Sequence, residues 1–353
     1  MQIDFHHGVT YVCARLAGFE HREASVVAYC AQYVDDSTQA GLIRFDNGAM
    51  FDRISSAHKL LDYRNFKELA NYKVWIPFHF LPGNGGLPAG QDPPGSFIEK
   101  LICRPNSPVA QAMVRECIDQ RDRSYGLHRL GITLHVFADT WAHQGFAGVS
   151  HVINNARDLV DGNNNPDQNL KNRLSNFFIS GALPLGHGTV LSNPDRPYLR
   201  WGYTNGRGEK ISRDNPKDYL TAANEMCKAM QRYQLGDPNA PVEGLLDADK
   251  ATIAALFEST RGEGDSRHQQ WLAHIAQGAF SFGPARVSYV AKGYGSWKHQ
   301  ALGIVGEGDR KETRLAYSPS FLTSDWKLFH DALQAHHFYV IHDLLPQYGI
   351  CVA

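Results

Sequence analysis

Apolar residues recur at spacings of three and four through most of the chain, as on the buried face of an α-helix. In one such stripe Ala24, Val27, Ala31 and Val34 follow one another at these spacings. Several stripes are also bounded by helix signals, either a Ser-Pro or Asn-Pro pair at the start or a glycine at the end. The predicted helices span residues 7–17, 21–35, 107–122, 124–144, 215–234, 248–259, 267–279 and 325–345.

Strand-like patterns are few. Residues 285–292 alternate between apolar and polar positions, and residues 73–80 form a short apolar run, so both are candidate strands. Residues 82–96 are rich in proline and glycine, which predicts a long surface loop. We therefore expect a mainly helical, all-α fold with long loops, forming one large domain over residues 1–353.

Composition limits the possible classes of protein. The chain has 353 residues, 43% of them hydrophobic and 20% charged, which is typical of a globular protein. Its 35 Lys and Arg nearly balance its 36 Asp and Glu, so we expect no stable binding of nucleic acid by bulk charge. No apolar run approaches the roughly 20 residues of a transmembrane helix. The first residues lack the pattern of an export signal, so we expect a cytoplasmic protein, although secretion without a signal stays open.

Histidine is unusually frequent, at 17 residues, and the central predicted helix contains the clearest cluster. His135, Asp139 and His143 are four residues apart, so their side chains share one helix face, and His128 lies two turns earlier. Most positions between them are apolar, which indicates a buried helix. A buried carboxylate needs a cation or strong hydrogen bonds. Metal binding is therefore the favoured interpretation, and structural hydrogen bonding is the alternative.

Further His and Asp residues occur in other segments, with no cysteine near them. Taken singly, each is more often an ordinary core or loop residue, but a series contributed by separate elements suits a site with more than one metal. The histidines of the C-terminal helix are interpreted instead as core packing or as supports of the ligands. The candidate ligands outside the central helix are Asp4, His6, Asp35, Asp36, His79, His187 and Asp195.

In this order the residues resemble the zinc-dependent phospholipase C and P1 nuclease superfamily, in a bacterial branch. His6 lies near the N-terminus, Asp35 in QYVDD closes an early helix, and His79 stands in the aromatic-proline segment PFHFLP. The segment GITLHVFADTWAHQGF, with His135 and Asp139, is similar to the core helix of that superfamily. The resemblance covers roughly residues 1–200, and residues 205–353 are expected to be the helical remainder of the same domain.

The resemblance implies a helical fold with up to three zinc ions in a cleft and Asp139 as a bridging carboxylate. His143 and His187 would bind the next metal, with Asp195 as the nearest acid after His187. Members of the superfamily often use a terminal amino group as a ligand. We expect Met1 to be retained here, so either Asp4 takes that place or one metal is missing.

The implied activity is hydrolysis of phosphoric esters by water that two or three divalent ions activate. Zinc is the expected metal, although iron and manganese suit the same ligands. Asp139 and Asp35 are the candidate catalytic residues. The substrate would be a small-molecule or lipid phosphoester, and its identity stays open among phospholipids, nucleotides and sugar phosphates.

Two other functions stay open. His and carboxylate ligands also suit a non-haem di-iron or mixed-metal oxidase or oxygenase, which metal identity and a visible absorption band would reveal. A metal-containing interaction or toxin protein without enzymatic activity would instead have fully closed coordination, with no position left for water.

Overall fold

The fold is mainly helical, as the spacing of apolar residues predicts, with two small sheets added. Within the described ranges, no helix combines the length and apolar character that crossing a bilayer requires. The computed structural model describes residues 1–57, 68–163, 165, 190, 192–305 and 314–351.

Each of the eight predicted helical segments contains a helix, whereas others, such as Glu68–Phe78 and Trp297–Leu302, were not predicted. Capping explains several of the boundaries: Ser107, for example, accepts a hydrogen bond from the Ala110 amide at 3.2 Å, with Pro108 in the first turn. A π-helical turn at Asp4–Val9 runs directly into the first α-helix, and another at Tyr339–Leu344 extends the eleventh. The α-helices are α1 (Thr10–Leu16), α2 (His21–Asp36), α3 (Glu68–Phe78), α4 (Ile98–Leu101), α5 (Pro108–Asp119), α6 (Gly126–Ala142), α7 (Asn215–Leu235), α8 (Asp247–Ser259), α9 (Gly264–Ala276), α10 (Trp297–Leu302), α11 (Asp325–Phe338) and α12 (Leu345–Gln347).

Each sheet has three short strands. In the first sheet β1 lies between β2, with which it pairs antiparallel, and β6, with which it pairs parallel. In the second sheet β4 lies between β3 and β5, and all pairing is antiparallel. The strands are β1 (Gly41–Phe45), β2 (Met50–Arg53), β3 (Ala156–Asp161), β4 (Arg200–Asn205), β5 (Lys210–Asp214) and β6 (Arg314–Leu315).

Both predicted strands are wrong. Residues 73–80 belong largely to helix α3, because a short apolar run fits a fully buried helix as well as a strand. Residues 285–292 do alternate between half-buried and exposed positions, but no described strand pairs with them. This segment is fixed by side-chain contacts with α2 instead: Tyr29 donates to the Val290 carbonyl at 2.5 Å, and Tyr289 donates to Asp36 at 2.6 Å.

Helix α6 is the centre of the fold and packs against α2, α5, α7 and α11. All of its residues except Leu127 are buried. The contact with α2 is very close at Gly131, where a β-carbon would lie 2.4 Å from the Val27 carbonyl oxygen and 2.5 Å from the Cys30 β-carbon. Because only glycine permits this approach, the backbone of α2 lies directly against the helix face that bears His135.

Helix α11 covers α6 from the C-terminal part of the chain and also contacts α3. Its His336 is fully buried, donates from Nε2 to the Pro77 carbonyl at 3.0 Å and stacks on Phe78. Burial, assisted by the nearby charge of Arg129, holds the pKa of His336 well below its usual value. His336 is therefore neutral in the folded protein, and it fixes the end of the helix that precedes His79.

We expect Gly131→Ala to destabilise the protein by about 1–3 kcal/mol, the usual cost of an added methyl in a packed contact. The new methyl would meet the α2 backbone, which cannot rotate away as a side chain can. Chemical denaturation measures the loss. Gly264→Ala is the control, since the atoms nearest to its methyl belong to the side chain of Gln2 and not to a helix backbone. Equal effects of the two substitutions would contradict a close α2–α6 contact.

Buried neutral histidine makes the free energy of unfolding depend on pH. His336 gains a proton near pH 6.5 only when the chain unfolds, so the unfolded state binds more protons below that pH and stability falls as the pH drops. Between pH 5.5 and 4.5, His336→Gln should lower this slope by about 1.4 kcal/mol per pH unit. Urea denaturation at several pH values measures the slope. The exposed His342→Gln is the control, and equal slopes in wild type and His336→Gln would refute the prediction.

Candidate metal centre

The site is built on the buried face of α6. His135 and Asp139 lie one turn apart there, with relative exposures of 0% and 1%. The C-terminus of α2 brings Asp35 to the same place, and the segment after α3 brings His79. The residues that the sequence predicts from three separate segments therefore meet in space.

Backbone carbonyls fix the orientation of the two central imidazoles. His135 Nδ1 lies 2.6 Å from the Ala31 carbonyl oxygen, and His79 Nε2 lies 2.9 Å from the Ser56 carbonyl oxygen. A carbonyl only accepts hydrogen bonds, so each of these ring nitrogens carries a proton and donates it. In the neutral rings, the nitrogens that face the site, His135 Nε2 and His79 Nδ1, are therefore lone pairs.

Three acceptor atoms converge at this point. His135 Nε2 is 3.2 Å from His79 Nδ1, and Asp139 Oδ2 is 3.3 Å from the former and 3.5 Å from the latter. Such buried acceptors repel one another unless a positive charge lies between them. Zinc–ligand bonds of about 2.0–2.1 Å place tetrahedral ligand atoms about 3.3–3.4 Å apart, and the three distances match this spacing.

Asp35 lies beside these three atoms and connects them to solvent. Its Oδ1 is 3.8 Å from His79 Nδ1 and 3.8 Å from His135 Nε2, and 34% of its side chain is exposed. Partial burial raises the pKa of Asp35, and the neighbouring His135 and His79 oppose that shift. The three acceptor atoms are thus buried, and the site reaches solvent on the Asp35 side.

The other oxygen of Asp139 faces a second group. His6 Nε2 lies 3.2 Å from Asp139 Oδ1, and the Met1 nitrogen lies 2.7 Å from the same oxygen and 3.3 Å from Asp195 Oδ1. His6 is 1% exposed, and within the described part of the chain neither of its ring nitrogens makes a hydrogen bond of normal geometry. An unpaired buried imidazole beside a carboxylate fits a metal ligand. Asp139 thus has one oxygen in each group, as a bridging carboxylate would.

The charged groups of the site shift the pKa values of both Asp139 and His135. Burial alone would raise the pKa of Asp139, but the Met1 amino group and the histidines around it hold that pKa well below its usual value. Burial opposes protonation of His135, yet the Asp139 and Asp35 carboxylates raise its pKa above the usual value. In the absence of metal, a proton would occupy part of the space that a divalent ion fits.

Several of the predicted ligands lie away from the site or at its edge. Asp4 is bound by Arg267 at 2.6 and 3.0 Å, because a buried carboxylate so close to a guanidinium pairs with it. Asp36 accepts hydrogen bonds from Tyr289 and from Gln32, at 2.6 and 3.1 Å.

His143 is close to the site but is oriented by a different contact. Its Nδ1 is 3.7 Å from Asp139 Oδ2 and lies 2.7 Å from the His79 carbonyl oxygen, to which it donates. Asp195 lies at the edge of the site, with its Oδ1 3.3 Å from the Met1 nitrogen. His187 lies outside the described residues, so its expected role with His143 stays a prediction.

Parts of the site have no signal in the sequence. The Ala31 and Ser56 carbonyls act through backbone atoms, which every residue has, so residue types do not reveal them. The sequence shows Arg267 only as a cation in a predicted helix, and it does not indicate that Asp4 is its partner. The two partners are 263 residues apart in the chain.

An open cleft of about 760 Å³ leads to the site, and the exposed side of Asp35 forms part of its wall. The lining also includes Asp36, Glu263 and Asp265, but neither lysine nor arginine among the described residues. The approach to the metal position is therefore wide and acidic. A fully closed structural metal site would have no such opening.

Comparison with known proteins identifies the family but no function. No curated protein and no solved structure matches the chain. The model of DUF6765, a family of unknown function, matches residues 1–344, and the chain belongs to that family.

Proposed function

We propose that the protein is a metal-dependent hydrolase of phosphoric esters. The observation that carries the proposal is the convergence of His135 Nε2, His79 Nδ1 and Asp139 Oδ2, three buried acceptors at zinc-ligand spacing. The order of the ligands along the chain, which resembles the zinc-dependent phospholipase C and P1 nuclease superfamily, supports the same proposal.

The described residues would hold two ions. His79, His135 and Asp139 Oδ2 would bind the first, with ring orientations already set by backbone carbonyls and with the side that faces Asp35 left for water. His6 and Asp139 Oδ1 would bind the second, beside the Met1 nitrogen. Rigid helices supply most of these groups, so little reorganisation would accompany binding.

The opening at Asp35 favours catalysis over a purely structural metal. A divalent ion held by His79, His135 and Asp139 would supply a Lewis acid for a phosphoryl oxygen and would lower the pKa of water. Asp35 lies between these residues and the cleft, so its carboxylate would orient a water molecule and accept its proton. The buried side of the site, around His135 and Asp139, excludes bulk solvent.

The acidic cleft gives the metal a second role, in substrate binding. Asp35, Asp36, Glu263 and Asp265 would repel a phosphodiester, and no lysine or arginine of the described lining offsets them. A phosphoryl group would therefore approach only when the cations of the centre attract it. We accordingly propose that substrate binding, and not only the chemical step, depends on metal.

Elemental analysis of the purified protein should find two or three divalent ions per chain, with zinc the expected metal. His135→Ala and Asp139→Asn should each lose at least one ion, because each removes a group that faces the cation. His128→Ala is the matched control: His128 is buried in the same helix but pairs with Asp325 at 3.0 Å. It should keep the full complement.

Two results would contradict this proposal. Metal-free wild-type protein, with both variants folded by circular dichroism, would remove the metal site. Iron with a visible absorption band would instead favour the oxidase or oxygenase on the same ligands.

Hydrolysis of bis(p-nitrophenyl) phosphate tests the reaction itself. We expect activity that a chelator removes and added zinc restores, and a kcat at least tenfold lower in Asp35→Asn, since an amide is a poor proton acceptor and a weaker ligand. The exposed Asp343→Asn should retain wild-type activity. Loss in Asp35→Asn without loss of metal would assign Asp35 to proton transfer, whereas full activity in that variant would exclude the role given to it here.

A further inference from the structure

Helix α9 packs against the π-helical turn that bears His6. His268 Nε2 lies 2.8 Å from His7 Nδ1, and both rings are buried. A β-carbon at Gly8 would lie 3.2 Å from the β-carbon of Trp271, so the two backbones are also close. The helix lies beyond the part of the chain that carries the resemblance, so the sequence assigns it no role in the site.

Arg267 makes the strongest polar contact between α9 and this turn. It is fully buried, and it donates from Nε to Asp4 Oδ2 at 2.6 Å and from Nη2 to Asp4 Oδ1 at 3.0 Å. Asp4 begins the turn and stands two residues before His6. A guanidinium that binds both oxygens of a carboxylate fixes its orientation as well as its position.

The same guanidinium also binds the segment that bears Asp195. Its Nη2 donates to the Asp195 carbonyl oxygen at 3.1 Å and to the side-chain oxygen of Gln2 at 2.9 Å. Asp195 Oδ1 is 3.3 Å from the Met1 nitrogen, which is 2.7 Å from Asp139 Oδ1. Arg267 therefore joins the two chain segments that approach this oxygen of Asp139.

The position of His6 depends on the backbone of its turn. In the described part of the chain, neither ring nitrogen of His6 makes a hydrogen bond of normal geometry, and the ring stacks on His135 with 3.9 Å between centroids. No hydrogen bond of the ring itself therefore holds it 3.2 Å from Asp139 Oδ1. π-Helical turns are rare and occur mostly at functional sites, so a turn of this kind needs support from its surroundings.

We propose that Arg267 is a positioning residue for the second metal ion. Acting through Asp4 and the Asp195 carbonyl, it holds His6 and the Asp195 segment beside Asp139 Oδ1. The inference rests on the two-ion site of the proposed function, but it does not depend on which reaction that site performs.

Zinc binding by Arg267→Lys tests the role. A lysine keeps the charge but has a single nitrogen, so it cannot bind both oxygens of Asp4 and also reach the Asp195 carbonyl. Zinc bound per chain is measured at a series of buffered free zinc concentrations. We expect the second ion to bind about 10- to 100-fold more weakly, the usual effect of removing a group that orients a metal ligand. The ion at His79 and His135 should bind as in the wild type.

Two further variants separate positioning from a general loss of stability. Asp4→Asn combined with Arg267→Gln leaves no unpaired buried charge, so it should fold even if Arg267→Lys does not, and it should weaken the second ion as well. Ile275→Ala is the matched control, because Ile275 is fully buried two turns further along α9. It should lower stability through a cavity and keep both ions. Thermal unfolding measures the stability of each variant.

Hydrogen exchange in the metal-free protein provides a readout that does not require an ion. In Arg267→Lys the amides of residues 5–9 should exchange about tenfold faster than in the wild type, since a weaker contact lets the turn open more often. The amides of α6 should exchange at the wild-type rate.

Several results would overturn the role of Arg267. Wild-type affinity for both ions in Arg267→Lys and in the double variant would do so, as would equal weakening of the two ions or the same loss in Ile275→Ala. A wild-type protein that binds fewer than two ions would also overturn it, whatever the exchange rates. A second ion that depends on Arg267, in a protein that hydrolyses no phosphoester, would instead support the positioning role and overturn only the proposed reaction.

Discussion

The site depends on the electrostatic cost of burying Asp139. Its carboxylate is almost fully removed from water at the centre of the fold, where an uncompensated charge would be strongly destabilising. Polar groups surround both of its oxygens. His79 and His135 lie beside one oxygen, and His6 and the Met1 nitrogen lie beside the other. The Met1 ammonium donates to one oxygen, but neutral imidazoles present only lone pairs to the other. A proton on His135 or a metal ion would offset the charge there, and the spacing of the three acceptor atoms fits zinc.

Helix packing determines whether these groups can meet. At Gly131 the backbones of α2 and α6 approach so closely that a β-carbon has no room, and this brings the Ala31 carbonyl within hydrogen-bond distance of His135. The same packing places Asp35, at the end of α2, beside the ring that Ala31 orients. This close contact between two helices therefore fixes the position of Asp35 and the tautomer of His135. It also determines which side of the site is exposed. The geometry of the site is therefore set by the packing of these helices in the core.

Sequence patterns predict eight of the helices, because most of these have an amphipathic stripe and several have a cap. Helix α3 was missed because it is apolar on all sides and has no such stripe. They also predict that His135, Asp139, His79, Asp35 and His6 belong together, since carboxylates and histidines in apolar settings are costly unless used. The sheets were missed although a turn signal was present: Asn47-Gly48 follows β1, and Asn205-Gly206 ends β4. Asp4 shows a different limit. Residue type and position made it a plausible ligand, but its pairing with Arg267 depends on tertiary packing that no local pattern contains.

The overall charge of the chain illustrates the same limit. A net charge of −1 indicates no basic surface, yet the structure separates its charges within a few residues at the end of α2. Asp35 and Asp36 face a cleft with further acids, whereas the residues just beyond them border a pocket with three cations. Total charge is a sum and cannot show this separation. Local charge, and not the sum, therefore decides which ligand a cleft accepts, and an anionic substrate in this cleft would need the cations of the proposed metal centre.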